Sequence, residues 1–241
     1  MSEKALLLLG ADSDIGAAFL RQWDGPVVAH VCRKPESLAE FASREGFVQV
    51  YGDFSSADGI EAFIAAVRDL QTEIGRILYL PSMPAIPTKL PKIQPSDLEK
   101  AFLVGYYAAF RIFQTFLPAM AKTGGGQVAV ILTSYCFGAP PKFLTSYVSS
   151  KYALYGLVRS AAVEYGSKGI TVNAIAPSMV ETSFVSNLPA FAVEQEAEKS
   201  LLGRNATPED LIPVLKLLLS GDAPYLNGAV IPITSGSALN G

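Results

Sequence analysis

The segment LLLLGADSDIGA, residues 6–17, joins an apolar run to the start of a helical pattern through a glycine. Its consecutive leucines are typical of a strand that is buried on both faces of a parallel sheet. Gly10 permits a tight turn, and Gly16 permits the helix to approach a neighbouring strand or a pyrophosphate group closely. The first turn of such a helix offers free amide groups to an anion. Glycines also occur in ordinary strand-to-helix turns capped by Ser or Asp, so the segment predicts a binding turn only if a second motif supports it.

Outward from this segment, apolar runs of strand length alternate with longer runs of helical period. This alternation predicts one α/β domain over residues 1–241, with a doubly wound parallel sheet of about seven strands and helices on both faces. The predicted strands are residues 5–9, 26–32, 47–51, 76–80, 128–133, 170–175 and 229–233. The predicted helices are residues 14–23, 35–44, 57–74, 96–121, 146–165 and about 207–219, where Pro213 predicts a kink or a late start.

Composition and charge exclude several classes of function. The chain is 50% hydrophobic, which supplies a large core and rules out intrinsic disorder. The net charge of −3 gives no uniform basic field, so we expect no nucleic acid partner. Cys32 and Cys136 alone cannot carry a disulfide framework, which favours a reducing compartment. The single histidine, His30, excludes zinc-ligand spacing and lies in an apolar run, so we expect no metal and interpret His30 as structural.

A membrane location is not expected, although the mean hydropathy is +0.31. The uncharged stretch 123–141 is interrupted by glycines and prolines, and only residues 128–132 form a continuous apolar core. A spanning helix needs about 20 apolar residues. The first residues also lack the cleavage site of a signal peptide. These features favour a cytoplasmic protein.

The second motif consists of Ser134, Tyr147 and Lys151. Tyr147 and Lys151 are four residues apart in a segment of helical period, so both side chains project from one face of the helix. A lysine ammonium beside a phenol favours phenolate and lowers a pKa that is ordinarily about 10. Ser134 follows a predicted strand at its carboxyl end and is placed to bond a substrate oxygen. Each residue alone has an ordinary interpretation as a surface or turn residue, but together they predict a proton-transfer site.

With both motifs in place, the chain resembles the short-chain dehydrogenase/reductase family over nearly its whole length, and within it the 3-oxoacyl-carrier-protein reductases. The resemblance implies a single-domain Rossmann fold and hydride transfer between a nicotinamide cofactor and a carbonyl or alcohol group. It implies that Ser134, Tyr147 and Lys151 form the catalytic set. It also implies a homodimer or homotetramer.

The resemblance further implies which residues bind the cofactor. Asp53 follows the third strand and is expected near the adenine, whereas Pro177 and Thr182 are expected along the nicotinamide. Arg33 and Lys34 follow the second strand, where enzymes that prefer NAD usually carry an acidic residue, so NADP(H) is favoured and NAD(H) is the alternative. The full expected set is Gly10, Asp12, Ser13, Asp14, Ile15, Gly16, Arg33, Lys34, Asp53, Tyr147, Lys151, Pro177 and Thr182.

Two departures from the family pattern bear on activity. Asp14 stands where a third glycine is usual, and its carboxylate would repel a pyrophosphate if it faced that group or would cap the helix if it did not. Gly105 stands where an asparagine often holds a water against the lysine. A proline-rich stretch, residues 81–95, also replaces the Asn-Asn-Ala-Gly run of the family.

We therefore expect an NADP(H)-dependent oxidoreductase that reduces a ketone or oxidises the matching secondary alcohol. A lid near residues 178–205 is rich in apolar side chains, which favours an apolar small-molecule substrate unless those side chains only pack the lid onto the domain. The lid residues expected near substrate are Met179, Val180, Phe184, Val185, Leu188, Phe191, Ala192 and Val193, facing Cys136, Phe137, Phe143 and Leu144. Two alternatives remain: a catalytically degenerate dinucleotide-binding regulatory or structural subunit, and an isomerase or dehydratase that uses the cofactor as a fixed aid.

Overall fold

The computed structural model describes residues 3–33, 35–186 and 188–237. The strands are β1 (Ala5–Leu9), β2 (Val27–Val31), β3 (Phe47–Tyr51), β4 (Ile74–Tyr79), β5 (Gly126–Ile131), β6 (Ile170–Pro177) and β7 (Val230–Ile233). They form one parallel sheet in the order β3-β2-β1-β4-β5-β6-β7. The predicted doubly wound sheet is thus confirmed. The strand order reverses between β1 and β4, which opens a crevice at the carboxyl ends of these strands.

Helices cover both faces of the sheet. They are α1 (Asp14–Leu20), α2 (Ala57–Asp69), α3 (Pro95–Phe102), α4 (Ala108–Lys122), α5 (Thr145–Tyr165), α6 (Ala190–Lys199) and α7 (Pro208–Ser220). Short 3₁₀ turns occupy Pro35–Phe41, Leu90–Lys92, Ser134–Cys136, Gly166–Lys168 and Ser183–Val185. Apolar side chains of α2, α4 and α5 form the core on one face, and those of α1 and α7 form the core on the other. In the described part of the chain, no helix is both long and apolar enough to span a membrane.

The leucine run of β1 explains how the two cores are divided. Every residue of β1 is buried. Leu7 and Leu9 pack into the core with α2, α4 and α5, whereas Leu6 and Leu8 pack into the core with α1 and α7. Because successive strand side chains point to opposite faces, a central strand needs apolar residues at every position. The run of leucines therefore places β1 in the middle of the sheet.

Three predicted helices differ from the structure. The helix predicted over residues 35–44 is only a 3₁₀ turn, because Leu38 and Phe41 are its buried apolar residues and their spacing of three matches a 3₁₀ turn. The helix predicted over residues 96–121 is divided by a π-helical turn at Leu103–Tyr107. The last helix begins at Pro208 and continues through Pro213, so the late start is wrong. Its capping box fixes that start, with the Thr207 amide donating to Asp210 Oδ2 at 2.8 Å.

Candidate active site

A cleft of about 540 Å³ lies along the carboxyl ends of the strands and is closed on one side by the segment that follows β6. It brings together predicted site residues from five separate parts of the chain. The predicted residues that line it are Gly10, Asp12, Ser13, Asp14, Ile15, Arg33, Asp53, Tyr147, Lys151, Pro177 and Thr182. Lys34 lies outside the described residues. Gly16 and Ser134 are not among the residues that line the cleft.

The turn after β1 is held by Ser13. Gly10 has a φ of +77°, a left-handed conformation that favours glycine. The Ser13 hydroxyl donates to the Gly10 carbonyl at 2.7 Å and accepts from the Gly16 amide at 3.1 Å, so Ser13 is the N-cap of α1. A Cβ at Gly16 would lie 2.5 Å from the Gly10 carbonyl oxygen. Gly16 therefore permits α1 to pack against the turn, which explains why it is buried rather than part of the cleft surface.

Asp14 contacts the lid and does not cap its own helix. Its Oδ2 accepts a hydrogen bond from the Ser183 amide at 2.6 Å. Ser183 begins the 3₁₀ turn Ser183–Val185, which forms part of the cleft wall. The carboxylate that replaces the third glycine is thus directed to a backbone donor 169 residues away.

Among the described residues, Arg33 and the carboxylates of Asp12 and Asp53 lie at the end of the cleft near β2 and β3. Asp12 Oδ2 accepts from the amides of Cys32 at 3.0 Å and Arg33 at 2.7 Å, which ties the β1 turn to the end of β2. Asp53 Oδ1 accepts from the Ser55 amide at 2.9 Å. Hydrogen bonds from Ser55 lower the pKa of the Asp53 carboxyl, and the charge of Arg33 acts in the same direction. Arg33 therefore faces the cleft beside a carboxylate that stays ionised.

Tyr147 and Lys151 lie in the first two turns of α5, where Lys151 is buried and Tyr147 is partly buried. Lys151 Nζ donates to the Ile131 carbonyl at 2.8 Å and lies 5.8 Å from the centre of the Tyr147 ring. Burial lowers the pKa of Lys151 to about 8. Burial also raises the pKa of Tyr147 above its usual value, and the hydrogen bond from Thr133 opposes this only in part. The lowering of the tyrosine pKa that was expected from Lys151 is not seen here, because desolvation of the phenol is the largest effect on this pKa.

The hydroxyl that lies beside Tyr147 belongs to Thr133. Thr133 and Ser134 are both buried, but Thr133 lines the cleft and is hydrogen-bonded to Tyr147, whereas Ser134 does not line the cleft. The backbone is extended at Thr133 and enters a 3₁₀ turn at Ser134–Cys136, which separates Ser134 from Tyr147. In this structure the hydroxyl beside Tyr147 is that of Thr133, and the catalytic role of Ser134 stays a prediction.

The apolar wall near Tyr147 differs in part from the prediction. Phe184 packs its ring 6.0 Å from the Tyr147 ring, within a cluster that includes Ala85 and Leu144. The apolar side chains of residues 178–205 that line the cleft are those of Met179, Val180, Phe184, Val185 and Leu188. The expected Phe191, Ala192, Val193, Cys136, Phe137 and Phe143 do not line it. Phe191 is 71% exposed on α6, a helix that the sequence analysis did not predict.

The proline-rich stretch supplies residues that sequence reasoning missed. Met83, Pro84 and Ala85 line the cleft opposite the lid, together with Tyr135. The stretch is fixed to the loop before α5 by a hydrogen bond from the Thr88 amide to the Phe143 carbonyl at 2.8 Å. The clustering of prolines predicted a stiff loop, but no local pattern indicated which side chains would face the cleft.

The absence of an asparagine at position 105 has a steric explanation. Gly105 lies in the π-helical turn and is buried against α5. A Cβ at Gly105 would lie 2.8 Å from Ser150 Oγ, so a larger side chain requires Ser150 to move. Tyr79, which is fully buried at the end of β4, donates its hydroxyl to the Val104 carbonyl in the same turn. A side chain inserted in this way into the helical hydrogen bonds is a common cause of such a turn.

The described residues contain no cluster of metal ligands. Among residues 3–33, 35–186 and 188–237, no group of His, Cys, Asp and Glu side chains is arranged to hold a metal ion. Both cysteines are free thiols. Close to one another in the cleft lie the hydroxyl of Thr133, the phenol of Tyr147 and the ammonium of Lys151.

Comparison with known proteins identifies proteins that are similar to this chain. The family model described as enoyl-(acyl carrier protein) reductase matches residues 20–238. Dehydrogenase/reductase SDR family member 4 of Rattus norvegicus is 26% identical, with 98% of this chain and 88% of that protein covered. A 3-oxoacyl-acyl-carrier-protein reductase of Pseudomonas aeruginosa is 28% identical, with 97% of this chain and 96% of that protein covered. The solved structure of a 3-oxoacyl (acyl-carrier-protein) reductase from Agrobacterium tumefaciens, with NADP bound, has a TM-score of 0.86 at 23% identity and covers 98% and 94% of the two chains.

Proposed function

This chain belongs to the short-chain dehydrogenase/reductase family, and on that premise we propose that it is an NADP(H)-dependent reductase of an apolar ketone, or the dehydrogenase of the matching secondary alcohol. The observation that carries the proposal is the meeting of Thr133, Tyr147 and Lys151 in the cleft that also contains the Gly10 turn. No feature of the structure favours a degenerate subunit or an isomerase over this activity.

The residues along the cleft fit a nicotinamide dinucleotide. Gly10 exposes the backbone of the β1 turn, Asp53 and Arg33 lie at one end, and Pro177 and Thr182 lie towards the other. These residues therefore line the crevice at the strand reversal from one end to the other, as expected of residues that bind the successive parts of a dinucleotide. When bound, the cofactor supplies the hydride that reaches the carbonyl carbon.

The side chains near Tyr147 support acid catalysis in the direction of reduction. Because burial raises the pKa of Tyr147, the phenol remains protonated and is able to donate its proton to a carbonyl oxygen. Thr133 holds the same oxygen through its hydroxyl, as a donor placed where negative charge develops. Lys151 keeps a positive charge beside the phenol below about pH 8.

The substrate class follows from the wall around Tyr147. Phe184, Leu144 and Ala85 form an apolar cluster beside Tyr147, and a sugar's hydroxyl groups would lose water on binding against it. We therefore place an apolar ketone in this part of the cleft. The proposal also includes a homodimer or homotetramer, as the family resemblance implies, and the cytoplasmic location that the sequence features favour.

A panel of ketones tests the proposed function. NADPH oxidation is followed with ketones of increasing apolar size, and with polyhydroxylated and phosphorylated carbonyl compounds of similar length. We expect kcat/KM to rise with apolar size, by roughly threefold to tenfold for each methylene group that enters the cleft. Absence of turnover across the panel with either NADPH or NADH contradicts the activity, and preference for polyhydroxylated compounds contradicts only the substrate class.

Arg33→Ala tests the choice of cofactor. Arg33 faces the cleft after β2, where its guanidinium is placed to pair with a 2′-phosphate. We expect the Kd for NADPH to rise about 10- to 100-fold and the Kd for NADH to change little. Binding is measured by titration of both cofactors into both proteins.

Lys100→Ala is the matched control for loss of one positive charge. Lys100 is near enough to lower the pKa of Asp53 but does not line the cleft. It should leave the ratio of the two Kd values unchanged. Tighter binding of NADH by the wild type, or equal effects of the two substitutions, would show that Arg33 does not read the phosphate.

A further inference from the structure

His30 occupies a central place at the carboxyl end of the sheet. It lies in β2, which pairs with β1 on one side and β3 on the other, and it is 3% exposed. Its ring stacks on Phe54 with centroids 4.1 Å apart and meets the edge of Phe63 at 4.9 Å. The ring therefore has one fixed orientation.

Both ring nitrogens are bonded to backbone groups of the neighbouring loops. The Gly10 amide donates to Nδ1 at 3.0 Å, and Nε2 lies 2.9 Å from the Gly52 carbonyl. Because an amide only donates and a carbonyl only accepts, the proton must reside on Nε2. Burial lowers the pKa of His30 to about 4, which keeps the ring neutral near pH 7 and leaves Nδ1 free to accept. The His30 carbonyl also accepts from the Ala11 amide at 3.0 Å.

The two loops joined by His30 both form the cleft. Gly10 begins the turn after β1, and Gly52 comes directly before Asp53 after β3. A Cβ at Gly52 would lie 3.0 Å from His30 Cδ2, so glycine at this position permits the close approach of the ring. His30 and Gly52 are thus sterically matched across two strands.

We propose that His30 is a positioning residue for the dinucleotide, because its ring holds the Gly10 turn and the Asp53 loop at a fixed separation. It sets cofactor affinity through these loops and has no part in proton transfer, since Tyr147 and Lys151 lie on other elements. This inference rests on the proposed function, because it requires that the cleft binds a nicotinamide dinucleotide. It gives a role to the histidine that sequence analysis interpreted as merely structural.

Three substitutions separate the two hydrogen bonds. His30→Asn retains an amide oxygen near the position of Nδ1, His30→Gln retains an amide nitrogen near Nε2, and His30→Leu retains neither. We measure the Kd for NADPH by calorimetry, kcat at saturating NADPH, and Tm. We expect the Kd to rise about tenfold or more for Leu and by a smaller factor for Asn and Gln, with kcat within about twofold of wild type.

Phe63→Leu is the control for packing. Phe63 touches the same ring and the same core but does not line the cleft. It should lower Tm while leaving the Kd for NADPH within about twofold of the wild-type value. If His30→Leu does not fold, the Kd values of His30→Asn and His30→Gln are compared with that of Phe63→Leu instead. At least one of these two variants must then bind NADPH more weakly than Phe63→Leu.

The results that would overturn this inference differ from those that would overturn the proposed function. A wild-type protein that binds neither NADPH nor NADH defeats the proposed function and this inference with it. If the wild type binds NADPH, the inference alone is overturned by His30 variants that bind like wild type, by an equal loss in Phe63→Leu, or by a fall in kcat with unchanged Kd.

Discussion

Tyr147→Phe is expected to lower kcat about a thousandfold while leaving the Kd for NADPH close to the wild-type value. The substitution removes one hydroxyl and keeps the ring that packs against Phe184. The raised pKa of the phenol keeps it protonated until a carbonyl oxygen arrives. Single-turnover reduction of the best ketone in the panel, with NADPH affinity measured on the same preparation, checks both parts of this prediction.

Lys151→Ala gives the contrasting pattern. Lys151 is buried between the Ile131 carbonyl and the Tyr147 ring, so its removal leaves a cavity and takes away the charge beside the phenol. Both kcat and NADPH affinity should therefore fall. A Tyr147→Phe protein that keeps most of its turnover would contradict the assignment of the acid. Equally small effects of both substitutions would favour a non-catalytic, dinucleotide-binding subunit.

The parts of the fold that the sequence predicts well are those with local causes. The leucines of β1 indicate burial on both faces, and Thr207 with Asp210 marks the start of α7. The π-helical turn at Leu103–Tyr107 has no such local cause. It depends on Tyr79, a residue of β4, whose hydroxyl reaches the Val104 carbonyl. A helical period read along residues 96–121 contains no sign of that contact.

The candidate site also combines features with local causes and features that depend on tertiary contacts. Tyr147 and Lys151 share a helix face, so their spacing alone brings them together. By contrast, Asp14 meets Ser183 across 169 residues of sequence, and the direction of its carboxylate depends on where the lid folds. His30 also looked like an ordinary core residue, because its two backbone partners become visible only when β1, β2 and β3 are side by side. These contacts are tertiary, and no pattern within a short window encodes them.

Thr133 and Ser134 are adjacent in the sequence, but only Thr133 lines the cleft. Substitution of each residue therefore tests which hydroxyl binds the substrate oxygen. Thr133→Val removes the hydroxyl beside Tyr147 and keeps the shape of the side chain, so we expect kcat/KM for ketone reduction to fall about 100-fold or more. Ser134→Ala removes a hydroxyl that does not reach the cleft and should change kcat/KM by less than about threefold.

Thr133→Ser completes the comparison, because it restores a hydroxyl at the same position. The Thr133 side chain also accepts from the Tyr135 amide at 3.4 Å, and serine preserves that contact whereas valine does not. Recovery of at least about a third of wild-type kcat/KM in Thr133→Ser, together with unchanged NADPH affinity in all three variants, assigns the loss in Thr133→Val to the missing oxygen contact. If Ser134→Ala is instead the damaging substitution, the oxygen-binding role returns to Ser134, and the reductase activity itself stands unaffected by that outcome.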